Sequence, residues 1–181
     1  MVSLRSEVTR KLLNYFFINP QESLYVNELA RKLGVDKRNL VRKLAELESL
    51  GILESQARGN LKLFSINRKY SLYEELKSIL SKTFGVEASL RKIAESVEGI
   101  NRAYIYGSFA GNKMEAHSDI DLLVIGKHSQ LLLQKQIGKL QRGIQREINT
   151  VNMDEAEFNR RKRDKDPFIT GLFRGKYITL K

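Results

Sequence analysis

Along the first third of the chain, apolar residues recur at helical spacing. Leu4, Val8, Leu12, Leu13, Phe16 and Phe17 share one helical face, and Asn19-Pro20 ends that run. After an extended Ser23-Leu24-Tyr25 segment, Leu29, Ala30 and Leu33 predict a second helix over Val26 to Leu33. Gly34 suits the position just past a helix end and Asp36 the N-cap of the next helix, which runs to Leu50 with Leu40, Leu44 and Leu47 inward. Gly51 closes it. Ile52 to Ala57 and Leu61 to Ile66 then read as two strands of a hairpin joined by Arg58-Gly59-Asn60.

The pattern continues with a helix over Asn67 to Thr83 carrying Leu72, Leu76, Ile79 and Leu80, a stripe able to pack on its own domain or to dimerise. Val86, Leu90, Ile93, Ala94 and Val97 predict another helix, followed by a short strand over Arg102 to Tyr106. A second strand starts near Asp119 and is anchored by the apolar run Leu122 to Ile125. Leu131 to Leu140 reads as a helix crossing to a strand over Gln145 to Met153. Asp154 to Arg163 is helical and ends in Arg160-Arg161-Lys162-Arg163, a cluster suited equally to the helix macrodipole and to a phosphate contact. Asp166-Pro167 opens a new element, and Tyr177 to Leu180 reads as a final edge strand.

Composition narrows the classes. At 181 residues and 41% hydrophobic content there is room for one large or two small domains. No run approaches the ~18 apolar residues of a membrane span. Ser3, Arg5, Ser6 and Glu7 stand where a signal peptide would be apolar, so the expected location is the cytoplasm. The absence of cysteine excludes disulfides, thiolate metal sites and cysteine nucleophiles, and His117 and His128 are too few for a histidine-rich metal site. Net charge is +11, from 32 basic and 21 acidic residues, which makes nucleic acid the first partner to consider. The excess is denser in the N-terminal part, where Met1 to Tyr70 holds 13 basic and 7 acidic residues.

One stretch carries chemistry. Gly107-Ser108 follows the first predicted strand of the second half and can turn the backbone sharply, offering N–H groups and a hydroxyl to a phosphate. Ten residues later, Asp119 and Asp121 stand two apart at the head of a strand, so both carboxylates share a face. Such a pair suits a hard cation that takes one or two carboxylates together with substrate phosphates.

Gly107-Ser108-Phe109-Ala110 and Ser118-Asp119-Ile120-Asp121-Leu122 together resemble the Gly-Ser-x10-Asp-x-Asp signature of the nucleotidyltransferase (DNA polymerase β-like) superfamily, in particular its minimal nucleotidyltransferases. The resemblance implies an α/β domain in which Asp119 and Asp121 hold Mg²⁺ or Mn²⁺, Gly107 and Ser108 position the phosphates of a nucleoside triphosphate, and a neighbouring strand supplies a third carboxylate. The chain departs from that pattern twice. Asn149 falls where the third acid is expected, and Glu147, two residues earlier on the same strand face, is the candidate substitute. Related domains carry a basic residue and glycine after Gly-Ser-x-Ala, where this chain has Gly111-Asn112 with Lys113 next to supply the charge.

The first 67 residues, with their Leu29-Ala30-x-x-Leu33-Gly34-Val35 turn, resemble a winged helix-turn-helix of bacterial and archaeal regulators. The resemblance implies a recognition helix presenting Lys37, Arg38, Asn39, Arg42 and Lys43 to double-stranded DNA, with Arg58 and Lys62 on the wing. The expectation is therefore an α+β chain: a winged helix-turn-helix over 1–67, a linker helix over 68–85, and a nucleotidyltransferase-like α/β domain with a mixed sheet over 86–181. Its expected function is that of a transcriptional or antitoxin-like regulator that binds nucleotide. The alternatives are an active transferase whose winged helix presents a protein or nucleic-acid acceptor, and a pseudo-enzyme domain used only for dimerisation. A cognate protein acceptor or toxin and a second copy of the chain are the other partners considered.

Overall fold

The computed structural model describes residues 3–114 and 118–181, so His117 lies outside the described residues. The chain divides into two compact units, Met1–Gly85 and Val86–Lys181.

The first unit begins with α1 (Glu7–Ile18), capped by the Ser6 hydroxyl, which accepts from the Thr9 N–H at 3.3 Å. β1 (Leu24–Tyr25) leads into α2 (Val26–Leu33), which Gly34 terminates in the left-handed conformation at φ 59°. Asp36 caps α3 (Lys37–Ser49) by accepting from the Asn39 N–H at 2.9 Å. β2 (Leu53–Arg58) and β3 (Leu61–Ile66) form an antiparallel hairpin, and β1 adds to the outer side of β3. Arg58, read from sequence as part of the turn, pairs with Leu61, so only Gly59 and Asn60 make the turn.

The apolar stripes of all three helices meet in one core. Leu12 and Phe16 of α1, Leu29 of α2, and Leu40, Leu44 and Leu47 of α3 are fully buried there with Phe64 of β3. Residues 68–85, expected as a linker, belong to this unit. Their helix α4 (Tyr73–Thr83) places Tyr73, Leu76 and Leu80 in the same core, with the Tyr73 ring edge-on to Phe17 at 5.2 Å. Asn14 fastens the end of the helix by donating to the Phe84 carbonyl at 3.0 Å. The physical reason is area: three side chains buried at roughly 1.5–3 kcal/mol each outweigh the freedom of a solvated linker.

The second unit is a four-stranded mixed sheet with helices on both faces. In chain order it comprises α5 (Val86–Ser96), β4 (Arg102–Tyr106), α6 (Gly107–Ala110), β5 (Ile120–Ile125), α7 (Gln130–Ile144), β6 (Ile148–Met153), α8 (Glu155–Arg163), α9 (Pro167–Arg174) and β7 (Ile178–Thr179). The strand order is β6-β5-β4-β7, with β5 and β6 parallel and the other pairs antiparallel. α7 is the crossover that a parallel pair requires.

Period two divides β5 between the faces. Leu123 and Ile125 pack with Met153, Phe158 of α8, and Ile169 and Leu172 of α9. Leu122 and Val124 point the other way, where Gln134 of α7 donates to Thr150, the residue paired with Leu122, at 2.7 Å. α5 joins α7 on that side through a hydrogen bond from Gln136 to Ser96 at 3.2 Å. β6 starts at Ile148, later than its sequence suggested, because Gln145 ends α7 in the left-handed conformation at φ 55° and no strand can run through it. Among the described residues no helix is long and apolar enough to cross a membrane.

Candidate nucleotide site and basic helix

The site grows from the end of the sheet where β4 finishes and β5 and β6 begin. Tyr106 ends β4 directly opposite Asp121 of β5, and Asp121 pairs in parallel register with Asn149 of β6. These three side chains therefore lie side by side on one face, the face that carries α8 and α9. Asp119 precedes β5, and its Oδ2 accepts a hydrogen bond from the Asn149 amide at 3.1 Å. The two aspartates named from sequence are thus brought together with Asn149.

The electrostatics follow from that crowding. Burial pushes the Asp121 carboxyl above its usual range, the negative charge of Asp119 pushes it further, and the hydrogen bond from Asn149 partly opposes both. Tyr106 is raised as well, first by burial and then by the charge of Asp121. A carboxylate pair held close on a partly buried strand end is a place where a cation would be favoured.

Gly107 is required by the same crowding. Its φ is +72°, and a Cβ there would stand 2.4 Å from Asp121 Oδ2, so no other residue fits without moving the carboxylate. It opens α6, a single turn, with Ser108 following it. The Ser108 hydroxyl has the Met114 sulfur at 3.8 Å, and its carbonyl accepts from the Lys113 N–H at 2.8 Å. Lys113 is exposed, its backbone folded back toward Ser108.

Glu147 is placed differently from Asn149. It lies before β6, where its carbonyl accepts from the Ile120 N–H at 3.0 Å, and its side chain is exposed. Among the described residues no three His, Cys, Asp or Glu side chains form a metal-binding group.

Sequence reasoning passed over Arg146. It is 8% exposed, and its guanidinium donates to the Ser118 carbonyl at 3.0 Å, fixing the backbone just ahead of Asp119. A lone arginine between a helix and a strand gives no periodic signal; its role exists only once the β6 entry and the β5 entry are neighbours.

In the first unit, α3 turns Leu40, Leu44 and Leu47 inward and leaves Lys37, Arg38, Asn39, Val41 and Arg42 exposed. Arg42 donates to the Asn39 side chain at 3.2 Å. Arg58 is exposed at the hairpin turn. Two of the cations expected on this surface are engaged within the unit. The Lys43 ammonium is 2.5 Å from Glu46, with its side chain only 15% exposed, and Lys62 is 2.7 Å from Glu48.

Comparisons with known proteins bear on the second unit. Residues 88–164 match the family described as Polymerase beta, Nucleotidyltransferase. Among solved structures, a toxin-antitoxin crystallised with AMP-PNP is similar over 49% of this chain and 84% of that one, at 14% identity and a TM-score of 0.34. A candidate nucleotidyltransferase from Sulfolobus solfataricus is similar over 41% of this chain and 68% of that one, at 25% identity and a TM-score of 0.27. No significant match was found among curated proteins. The matched segment, residues 88–164, is the one in which the Gly-Ser turn at the end of β4 and the Asp-x-Asp strand β5 lie side by side, and over it this chain is similar to the polymerase beta nucleotidyltransferase family.

Proposed function

We propose that this chain is a DNA-binding regulator whose nucleotidyltransferase domain binds a nucleoside triphosphate with Mg²⁺ and transfers it weakly or not at all. The observation that carries this reading is Asn149. It occupies the third acid's position opposite Asp121 and donates its amide to Asp119, so that it offers the aspartate pair a neutral donor in place of a negative charge.

Asp119 and Asp121 would hold the ion, and their donor chemistry fits it: hard oxygen ligands, two in number, with room for substrate phosphates to complete the shell. The bound ion would supply charge neutralisation at the transferring phosphoryl group. Gly107 and Ser108 present their N–H groups and hydroxyl to the phosphates, and Lys113 adds charge from the solvent side. Arg146 holds Asp119 in position. With Asn149 in place of an acid, Asp119 and Asp121 would suffice to hold one ion with the triphosphate, and the residues present would offer a second ion one carboxylate too few.

The first unit supports the other half of the reading. Its three helices and hairpin follow the order of a winged helix-turn-helix, and Lys37, Arg38, Asn39 and Arg42 project from the exposed side of the third helix, with Arg58 on the wing. These side chains suit phosphate and base-edge contacts.

The test is incubation of the full chain with labelled nucleoside triphosphates and Mg²⁺, alone and with DNA, beside calorimetric titration of the same nucleotides. The expected result is Mg²⁺-dependent binding, lost in Asp119→Asn/Asp121→Asn, with little transfer until Asn149→Asp restores an acid. Robust turnover by the unaltered chain that Glu147→Gln abolishes would replace this reading with that of an active transferase using Glu147.

A further inference from the structure

The sheet face that carries the aspartates has a second feature at its other end. β4 runs from Arg102 to Tyr106, so four strand steps, about 14 Å, separate Arg102 from Tyr106, the residue before the Gly107 turn. Around Arg102 lies a cavity of about 420 Å³, walled by Tyr104, Phe158 and Phe173 and rimmed by Arg102, Lys162 and Arg174. The aspartate site uses none of these residues.

The walls are ordered by one another. The Phe173 ring stands edge-on to Tyr104 at 5.3 Å and to Phe158 at 6.0 Å. Phe158 is buried, whereas Tyr104 and Phe173 are half-buried and present aromatic surface to the cavity.

The rim has unbalanced charge. Arg102 pairs with Glu155 at 3.0 Å while its guanidinium lies 5.3 Å from the centre of the Phe158 ring. Lys162 and Arg174 are exposed and have no ion-pair partner among the described residues. They come from the last turns of two different helices. The macrodipoles of α8 and α9 each account for a cation at their ends but not for the convergence of the two on one aromatic-walled space.

We propose that this cavity binds one nucleotide unit, its base against Tyr104 and Phe173 and its phosphate between Lys162 and Arg174. The volume falls within the roughly 300–1,000 Å³ usual for small-molecule sites. Flat aromatic walls favour a flat ring, and base-on-aromatic stacking contributes about 1–3 kcal/mol. Unpaired lysine and arginine at the rim select an anion, and phosphate is among the groups they bind with charge-assisted hydrogen bonds. The Thr170 hydroxyl, also lining the cavity, adds a neutral donor. A free nucleotide and a residue within a single strand offer this same chemistry. The site is independent of the aspartate pair and of the DNA-binding reading.

The experiment uses the full isotope-labelled chain in EDTA, titrated with AMP, with a tetra-adenylate single strand and with inorganic phosphate, while amide resonances are followed. AMP should shift Lys162 and Thr170 to Arg174, and Lys162→Ala/Arg174→Ala should weaken its binding by at least about tenfold. Asp119→Asn/Asp121→Asn should leave those shifts in place, which separates this site from the aspartate site. Both altered rim positions are exposed, and an unchanged thermal melt confirms that they leave the fold intact. Tighter binding of the tetranucleotide than of AMP assigns the site to single strands, and equal binding assigns it to free nucleotide. Shifts confined to Gly107, Ser108 and Asp121, no shifts with either nucleotide, or inorganic phosphate binding as tightly as AMP would each overturn the proposal.

Discussion

The two units place their charged groups in opposite ways. On α3, Lys37, Arg38 and Arg42 stand on exposed positions opposite a leucine face, where water solvates them and burial asks nothing of them. At the start of β5, Asp119 and Asp121 are held close and partly buried, and Asp121 is driven upward by burial and by its neighbour. A surface of the first kind tolerates substitution and acts by the sum of its charges. A site of the second kind works against the stability of the fold and depends on a few residues that hold it in place, Gly107 and Arg146 among them.

The sharpest test of where the first region ends is truncation. Residues 1–85 should fold cooperatively, whereas residues 1–67 lose Tyr73, Leu76 and Leu80 from the core and should not. Each such loss costs roughly 2–5 kcal/mol, and the sum rivals the whole stability of a small domain. A sigmoidal thermal transition for 1–67 with the midpoint of 1–85 would show that α4 is dispensable.

Next in size is Gly107→Ala. The added Cβ meets Asp121 Oδ2, and φ +72° is strained for alanine, so the second unit should lose about 1–3 kcal/mol, and Mg²⁺-dependent nucleotide binding should fall with it. Denaturant melts and calorimetry on the same samples read the two effects. Unchanged binding would mean that Asp121 is free to move and that the site is less constrained than the helix surface.

For the first unit, Arg38→Ala or Arg42→Ala should cost roughly 1–3 kcal/mol at a base pair that the residue contacts and relax specificity there. Loss of Lys37 or Arg58 should weaken all duplexes alike and reduce the salt slope by about one. Lys43→Ala, its charge already engaged by Glu46, should have the smallest effect on DNA affinity. These are read by duplex binding across a salt series with the full chain and with residues 1–85. Salt-insensitive binding would remove the electrostatic character assigned to this surface.

The smallest expected effect concerns pH. Because the folded-state pKa of Asp121 is raised, its contribution favours the fold below the unfolded value and is lost as pH rises through the folded value. In EDTA at neutral pH, Asp121→Asn should therefore melt slightly higher than the parent chain. The difference should close as pH falls into the carboxylate range and the parent takes up its proton. A variant less stable than the parent at neutral pH would show that the carboxylate supports the fold and is not a cost to it.

Much of this was determined by sequence alone. Apolar spacing located the helices and strands because burying one face of an element demands a period, and a period survives in one dimension. The Gly-Ser turn and the Asp-x-Asp pair were legible for the same local reason: a glycine and two carboxylates two residues apart have only a few backbone settings that use them. What the sequence left open concerns partners distant along the chain. That α4 belongs to the first core, that Asn149 rather than Glu147 faces the aspartates, that Lys43 and Lys62 are neutralised within their own unit, and that Arg146 steadies Asp119 were decided by tertiary structure. Each depends on which elements become neighbours and in what register, and a one-residue slip of β6 against β5 would turn Asn149 away from the site.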